Sequence, residues 1–162
     1  MIYHYFGSKD ELFTAVLETE WAAIRAAEHA LDLEGLPPRI ALERMVRFTW
    51  HYYVDNPQFM KLVHSANLHK ARHLENSPVI RQISDPYISL INSVLQRGVD
   101  SGDFRPGIDV MQLNVTLAGI SYFYLVNRYT TEIIYNRELM TPEALETRLQ
   151  FNIDTIMRLV AA

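Results

Sequence analysis

Hydrophobic positions along the chain recur at helical spacing, and glycine and proline residues divide them into separate segments. Ser8 and Glu11 form an S-x-x-E capping box, in which the serine hydroxyl accepts a backbone N–H three residues on. The box predicts a helix from Ser8 to about Leu31, which the Gly35–Pro38 segment ends. A second helix is predicted from there to about Val54, and no segment alternates convincingly as a strand would.

The second half of the chain continues the helical pattern. Proline-containing turns and the cap residue Asp109 are expected to open further helices, beginning at Pro57, Pro78, Val110 and Thr141. Pro86 falls inside an apolar pattern, so we expect a kink or a restart there. The helix from Val110 is expected to run to about Tyr135. The sequence therefore predicts an all-α fold.

Composition limits the classes of function. With 162 residues, 49% of them hydrophobic, the chain is long enough to bury one sizeable core. Its net charge of −4 gives no general attraction to nucleic acid, so any DNA contact has to be local. The absence of cysteine excludes disulfides and thiolate metal sites, and fits a reducing compartment. We see no signal peptide and no membrane-spanning run, so the cytoplasm is expected.

The last two predicted helices carry more apolar surface than one core can bury. The helix from Val110 is apolar all round, and the last helix has an apolar stripe with Phe151 and Met157 lying off it. This predicts a two-fold homodimer built as a four-helix bundle, the alternative being that both helices are buried within one chain. The predicted interface residues are Leu117, Tyr124, Leu145, Leu149, Ile153 and Ile156.

The segment from Ile2 to Phe13, with the order Ile-Tyr-His-Tyr-Phe-Gly-Ser-Lys-Asp-Glu-Leu-Phe, resembles the junction that closes the helix-turn-helix domain of the TetR family. The segment from Gly98 to Pro106, followed by Asp109, is similar to the linker before the two dimerisation helices of that family. The resemblance implies a small DNA-binding domain followed by a TetR-like helical effector-binding and dimerisation domain. Residues 1–7 would be the end of the recognition helix, and residues 8–162 the helical domain.

By this resemblance, Tyr3, Tyr5 and Lys9 contact the DNA phosphate backbone. Hydroxyl groups and a lysine in the first turn of a capped helix suit such contacts. The alternative is an aromatic helix end packed on the body. Most of the family's helix-turn-helix is absent before this motif, so the chain as given is not expected to bind an operator. A truncated form, a start assigned at an internal methionine and a natural fragment remain open as explanations.

An effector pocket in such a fold should be largely apolar, with a few polar groups that orient the ligand. His64 and Asn67 are the better candidates, because a buried polar group needs a partner. For each aromatic candidate the alternative is ordinary core packing. The predicted pocket residues are Phe48, Tyr52, Met60, Val63, His64, Asn67, Tyr87, Tyr122, Phe123 and Asn127.

Catalytic and metal chemistry have little support. His69 and His73 have the i, i+4 spacing of metal ligands, with Glu75 close by, but two cations lie between them and solvated surface histidines are the alternative. No nucleophile elbow, phosphate loop or dinucleotide fingerprint is present. We therefore expect no enzyme, no metal and no cofactor.

The function indicated is a ligand-responsive transcriptional regulator of the repressor type. Its expected partners are a second copy of the chain, a small-molecule effector, and operator DNA when the missing N-terminal helices are present, with no membrane. The alternative is a stand-alone helical dimer that binds a small molecule and no DNA.

Overall fold

The computed structural model describes residues 7–75 and 77–162, and these are helical throughout apart from the connecting turns. The prediction of an all-α fold is confirmed. Within the described ranges, no helix has the length and apolar character needed to cross a membrane. The helices are α1 (Lys9–His29), α2 (Pro38–Asp55), α3 (Pro57–Leu68), α4 (Pro78–Asp100), α5 (Val110–Val126), α6 (Arg128–Tyr135) and α7 (Pro142–Val160).

Helix α2 lies at the centre and packs against α3, α4, α5 and α7, while α1 packs mainly along α4. Trp50 of α2 is buried at 1% exposure and is among the largest fully buried side chains. The apolar face of α2 and the inward faces of α4, α5 and α7 form one cluster, which we call the main core. Its members include Leu42, Met45, Val46, Trp50, Ile91, Val94, Leu113, Leu117, Leu149, Ile153 and Ile156.

Side-chain caps fix the beginnings of the helices where the sequence predicts them. The Ser8 hydroxyl accepts the Glu11 N–H at 3.1 Å, which is the serine half of the predicted capping box. Asp109 accepts the Gln112 N–H at 2.9 Å, and Thr141 accepts the Ala144 N–H at 3.2 Å. Each cap satisfies a backbone donor that the first turn of a helix leaves without an intrahelical partner.

One helix boundary differs from the sequence predictions. At Pro86, where the sequence predicts a kink or a restart, α4 does not restart. The predicted helix from Val110 to Tyr135 is instead divided at Asn127, whose side-chain amide donates to the Phe123 carbonyl at 3.1 Å. Asparagine competes in this way for backbone groups that a continuous helix would use, so it favours a helix end.

The turn that follows α4 is held by hydrogen bonds to the backbone of Gly98. The backbone N–H groups of Asp103 and Phe104 both donate to the Gly98 carbonyl, at 2.9 and 3.0 Å. This brings the buried ring of Phe104 against the face of α4 where Gly98 lies. The turn also holds the end of the chain, because the Arg105 N–H donates to the Val160 carbonyl at 2.9 Å.

We expect Gly98→Ala to destabilise the chain, because a Cβ there would overlap the ring of Phe104. Overpacking of this kind costs roughly 1–3 kcal/mol of unfolding free energy. Urea unfolding of both proteins measures the difference. Gly35→Ala is the control, since an added Cβ at Gly35 meets nothing within 4 Å. Equal stability of the parent and Gly98→Ala would contradict the packing described here.

Candidate ligand-binding site

A second hydrophobic cluster, distinct from the main core, lies where α1, α2, α3 and α5 meet. We call it the aromatic cluster, and its centre is the buried Phe59. The ring centroid of Phe59 lies 5.6 Å from that of Trp21, 5.8 Å from Tyr52 and 6.0 Å from Tyr53. The full set is Trp21, Ile24, Phe48, Tyr52, Tyr53, Phe59, Met60, Val63, Tyr122 and Val126.

Six of the ten predicted pocket residues come together here. Phe48, Tyr52, Met60, Val63 and Tyr122 belong to the aromatic cluster. His64 joins them through its Nδ1 atom, which lies 3.2 Å from the Tyr122 hydroxyl although the two residues are 58 positions apart. The fold therefore assembles a polar pair from α3 and α5 beside an apolar, aromatic wall.

The other four predicted pocket residues lie elsewhere. Tyr87 is buried in the main core. The Asn67 side chain is exposed, and its amide donates to the Val63 carbonyl of its own helix at 2.9 Å. Phe123 is 63% exposed on the opposite side of α5 from the buried face. Asn127 ends α5, as described above.

A buried arginine–glutamate pair adjoins the aromatic cluster, and sequence analysis missed it. Arg25 Nε lies 2.9 Å from Glu28 Oε2, and Glu28 is only 3% exposed. The Arg25 guanidinium stacks on the Tyr87 ring at 4.5 Å from its centroid. The signal was present in the sequence, because Glu28 continues the helical stripe of Leu17 and Ile24 and thus places a carboxyl group on an apolar face.

Burial dominates the electrostatics of this region. It raises the pKa of Glu28 from 4.5 to about 8, against the opposing attraction of Arg25. Burial, with a smaller contribution from the Glu28 charge, also raises the pKa of Tyr53 to about 12 and raises that of Tyr87. The tyrosine hydroxyls are protonated at neutral pH in any case, and burial moves their ionisation still further from it.

An open cleft of about 400 Å³ lies beside the aromatic cluster, between α2, α3, the end of α5 and α6. Such a volume is in the range of small-molecule pockets, roughly 300–1,000 Å³. Tyr53, Met60 and Val126 belong both to the cluster and to the cleft wall. The full lining is Tyr53, Val54, Pro57, Met60, Lys61, His64, Leu125, Val126, Arg128, Tyr129 and Met140.

Polar contacts attach the first half of α1 to the segment that follows α3. The Thr14 hydroxyl donates to the His73 carbonyl at 3.1 Å, and the Ser77 hydroxyl donates to Glu18 at 2.6 Å. Asp10 lies 3.3 Å from His73 Nε2 and 3.4 Å from an Arg72 nitrogen. Lys9, the predicted DNA contact, is exposed at the start of α1. Tyr3 and Tyr5 lie outside the described residues.

The histidines considered as metal ligands lie at this same attachment. The rings of His69 and His73 have centroids 5.9 Å apart. In the part of the chain that the structure describes, no group of three or more metal-ligating side chains is arranged to hold an ion. His73 instead packs edge-on against Phe13, with centroids 4.6 Å apart.

The predicted dimer-interface residues are largely buried within the single chain. Leu117, Leu149, Ile153 and Ile156 are at most 6% exposed and belong to the main core, while Tyr124 and Leu145 pack against it. They therefore offer little surface to a second copy, contrary to the predicted dimer interface. The exposed apolar side chains of α5 and α7 are Met111, Val115, Phe123, Phe151 and Leu159.

Because the pKa of Glu28 is raised from 4.5 to about 8, the folded chain holds that proton more tightly than the unfolded chain does. The resulting stabilisation is complete below the unfolded pKa and is lost as pH rises through the folded pKa. We expect the parent to lose unfolding free energy relative to Glu28→Gln between about pH 5 and pH 8, by on the order of a few kcal/mol.

Urea unfolding of the parent and Glu28→Gln across this range measures the difference. Glu34→Gln, at an exposed loop position, is the control and should keep a constant offset from the parent. Parallel pH profiles for the parent and Glu28→Gln would show that burial does not perturb Glu28.

Comparison with known proteins assigns the family. The family described as "Tetracyclin repressor-like, C-terminal domain" matches residues 38–156. Over 158 residues the chain is 34% identical to the HTH-type transcriptional repressor NicS of Pseudomonas putida, covering 98% of this chain and 74% of that protein. The crystal structure of the TetR transcriptional regulator SCO0520 from Streptomyces coelicolor matches in fold, with a TM-score of 0.57 at 17% identity, covering 99% of this chain and 78% of that one.

These matches confirm the resemblance to the family and the expectation that the chain is a regulator and not an enzyme. On the family match and the 34% identity together, this chain belongs to the TetR family of transcriptional regulators.

Proposed function

We propose that this chain is the effector-binding and dimerisation body of a ligand-responsive transcriptional repressor. The observation that carries the proposal is the aromatic cluster with its adjoining cleft, in which the His64–Tyr122 pair borders an apolar wall. This combination of a largely apolar surface and a few placed polar groups is typical of small-molecule sites. The relative from Pseudomonas putida is named a transcriptional repressor, which supports the same role here.

In this proposal residues 8–162 are the effector-binding body, and residues 1–7 are the end of a recognition helix. Lys9, exposed at the start of α1, would contact the DNA backbone together with Tyr3 and Tyr5. A repressor of this kind works beside the chromosome, so we also propose the cytoplasm as its location.

The dimer interface is proposed on the outward faces of α5 and α7. Met111, Val115 and Phe123 are each about 60% exposed and lie at multiples of four residues along α5, which places them on one stripe. The exposed residue Gly119 continues the stripe and leaves room for the close approach of a second helix. Phe151, 61% exposed, extends the surface onto α7. Two such surfaces meeting across a two-fold axis would form a four-helix bundle.

The regulator proposal predicts binding of palindromic DNA, because a two-fold dimer reads two half-sites related by symmetry. Selection of bound duplexes from a random library tests it, using the chain extended through any reading frame that continues upstream of residue 1. Enrichment of a palindrome, released by a small molecule that also stabilises the body, is the expected result. An extended chain that dimerises and binds small molecules without enriching any duplex would favour the stand-alone module.

We expect Val115→Glu to convert the dimer into a monomer, since it places a charge at the middle of the proposed interface. Light scattering after size-exclusion chromatography measures the mass, and circular dichroism checks that the variant keeps its helices. Ile40→Glu is the matched control, because Ile40 is a 48% exposed apolar residue of α2 and is not part of the proposed interface. A Val115→Glu protein with the mass of the parent would refute this interface. Leu149→Glu is unsuitable, because Leu149 is 1% exposed in the main core and the variant would unfold.

A further inference from the structure

The charged residues of the cleft all carry the same sign. Among its lining residues are Lys61 and Arg128, together with His64, and there is no aspartate or glutamate. A second cleft of about 470 Å³, between α1 and α4, has a mixed lining that includes Glu28, Asp32 and Glu34 together with His29 and Arg97. The contrast is local, because the chain as a whole has a net charge of −4.

Arg128 is held in place without a carboxylate partner among the described residues. Its guanidinium carbon lies 4.5 Å from the centroid of the Tyr129 ring, and Nη2 donates to the Tyr129 hydroxyl. The ion pairs of the described chain involve Arg25, Arg47, Arg72 and His73, and neither Arg128 nor Lys61 takes part in them. A guanidinium stacked on an aromatic ring keeps its planar donors directed and ready for a carboxylate.

The rest of the cleft wall is apolar. Met60, Val54, Leu125, Val126 and Met140 supply aliphatic and thioether surface. Tyr53 adds a hydroxyl group, which like any tyrosine hydroxyl is protonated at neutral pH. A hydroxyl donor suits an acceptor oxygen on the ligand.

From the cations at its rim and its apolar wall, we infer that this cleft binds an organic monocarboxylate with an apolar body. The carboxylate lies between Lys61 and Arg128, and the aliphatic or aromatic body lies against Met60, Val126 and Met140. The inference rests on the proposed effector role and specifies the chemical class of the effector.

Matched probes test the charge requirement. Hexanoate and phenylacetate are compared with hexanamide, phenylacetamide, hexylamine and phenethylamine by isothermal titration calorimetry on the whole chain. We expect each carboxylate to bind at least about tenfold more tightly than its amide, the effect of one good charge-assisted hydrogen bond, and the amines not to bind. Amides that bind as tightly as the acids would overturn the inference while leaving an effector site in place.

Variants locate the site. Arg128→Gln should weaken carboxylate binding by about tenfold and leave amide binding unchanged, whereas Lys61→Gln, at an exposed position, should weaken it by only about threefold. Arg39→Gln and Lys70→Gln are controls at exposed positions outside the cleft lining, and both should bind like the parent. Carboxylate binding that survives Arg128→Gln unchanged would overturn the assignment to this cleft.

A charge inserted into the wall gives an independent result. Met140 is half-buried in the loop before α7, so Met140→Glu should fold, abolish carboxylate binding and admit the amines. Met140→Gln is its neutral control and should still bind the acids. Failure of every probe to bind the parent would overturn the inference, and the dimerisation and DNA-selection experiments would then still decide the proposed function separately.

Discussion

Helix α2 is buried on two opposite faces, and the rest of the structure depends on this constraint. Residues two apart on a helix point to nearly opposite sides, so Val46 and Trp50 enter the main core while Phe48 and Tyr52 enter the aromatic cluster. The same helix thus joins the core that contains α7 to the cluster that borders the cleft. Because protein interiors are close-packed, α2 cannot shift on one side without disturbing the other. It is the fixed element against which the remaining helices are placed.

Helices and caps followed from the sequence because both are local. The Ser8 and Asp109 caps and the starts at Pro57 and Pro78 lie where the residue types place them. The division at Asn127 escaped prediction, because the apolar pattern continues past it into α6. Whether an asparagine caps a helix or sits within it depends on how the two flanking segments pack, which periodicity alone does not contain.

Burial partners were harder to predict than burial itself. The sequence showed that Leu149, Ile153 and Ile156 form an apolar stripe. An apolar stripe does not show whether it packs within its own chain or against a second copy. Phe151, which lies off that stripe, was the better indicator of the proposed dimer interface. An apolar side chain outside the inward face has no core of its own chain to enter. The same holds for Glu28, where a carboxyl group on an apolar stripe indicated the buried contact with Arg25.

The candidate pocket was predicted in part, for a physical reason. Phe48, Met60 and Val63 share the inward faces of neighbouring helices and meet in the aromatic cluster. Lys61 and Arg128 were not predicted, because a cation on a half-polar helix usually means only solvent exposure. Their significance depends on the absence of carboxylates from the same cleft lining, which is a property of the assembled structure.

The attachments of α1 differ between its two halves, and under the proposed function this difference determines how effector binding would move the DNA-binding end. The second half is held on α4 by Arg25, which pairs with Glu28 of its own helix and stacks on the Tyr87 ring. The first half is held by polar contacts to the segment that follows α3, at His73 and Ser77. Helix α3 in turn contributes Met60, Lys61 and His64 to the cleft.

A ligand shifts an equilibrium only by binding one arrangement more tightly than another. Under the proposed function, an effector that draws α3 toward α6 displaces the segment at His73, and the first half of α1 moves with it. The second half stays with α4, because Arg25 of that half stacks on the buried Tyr87 ring of α4. Helix α1 would therefore tilt about its buried second half. That tilt changes the position of Lys9 and of the DNA-binding residues that precede it, so α3 is the element whose position the effector has to control.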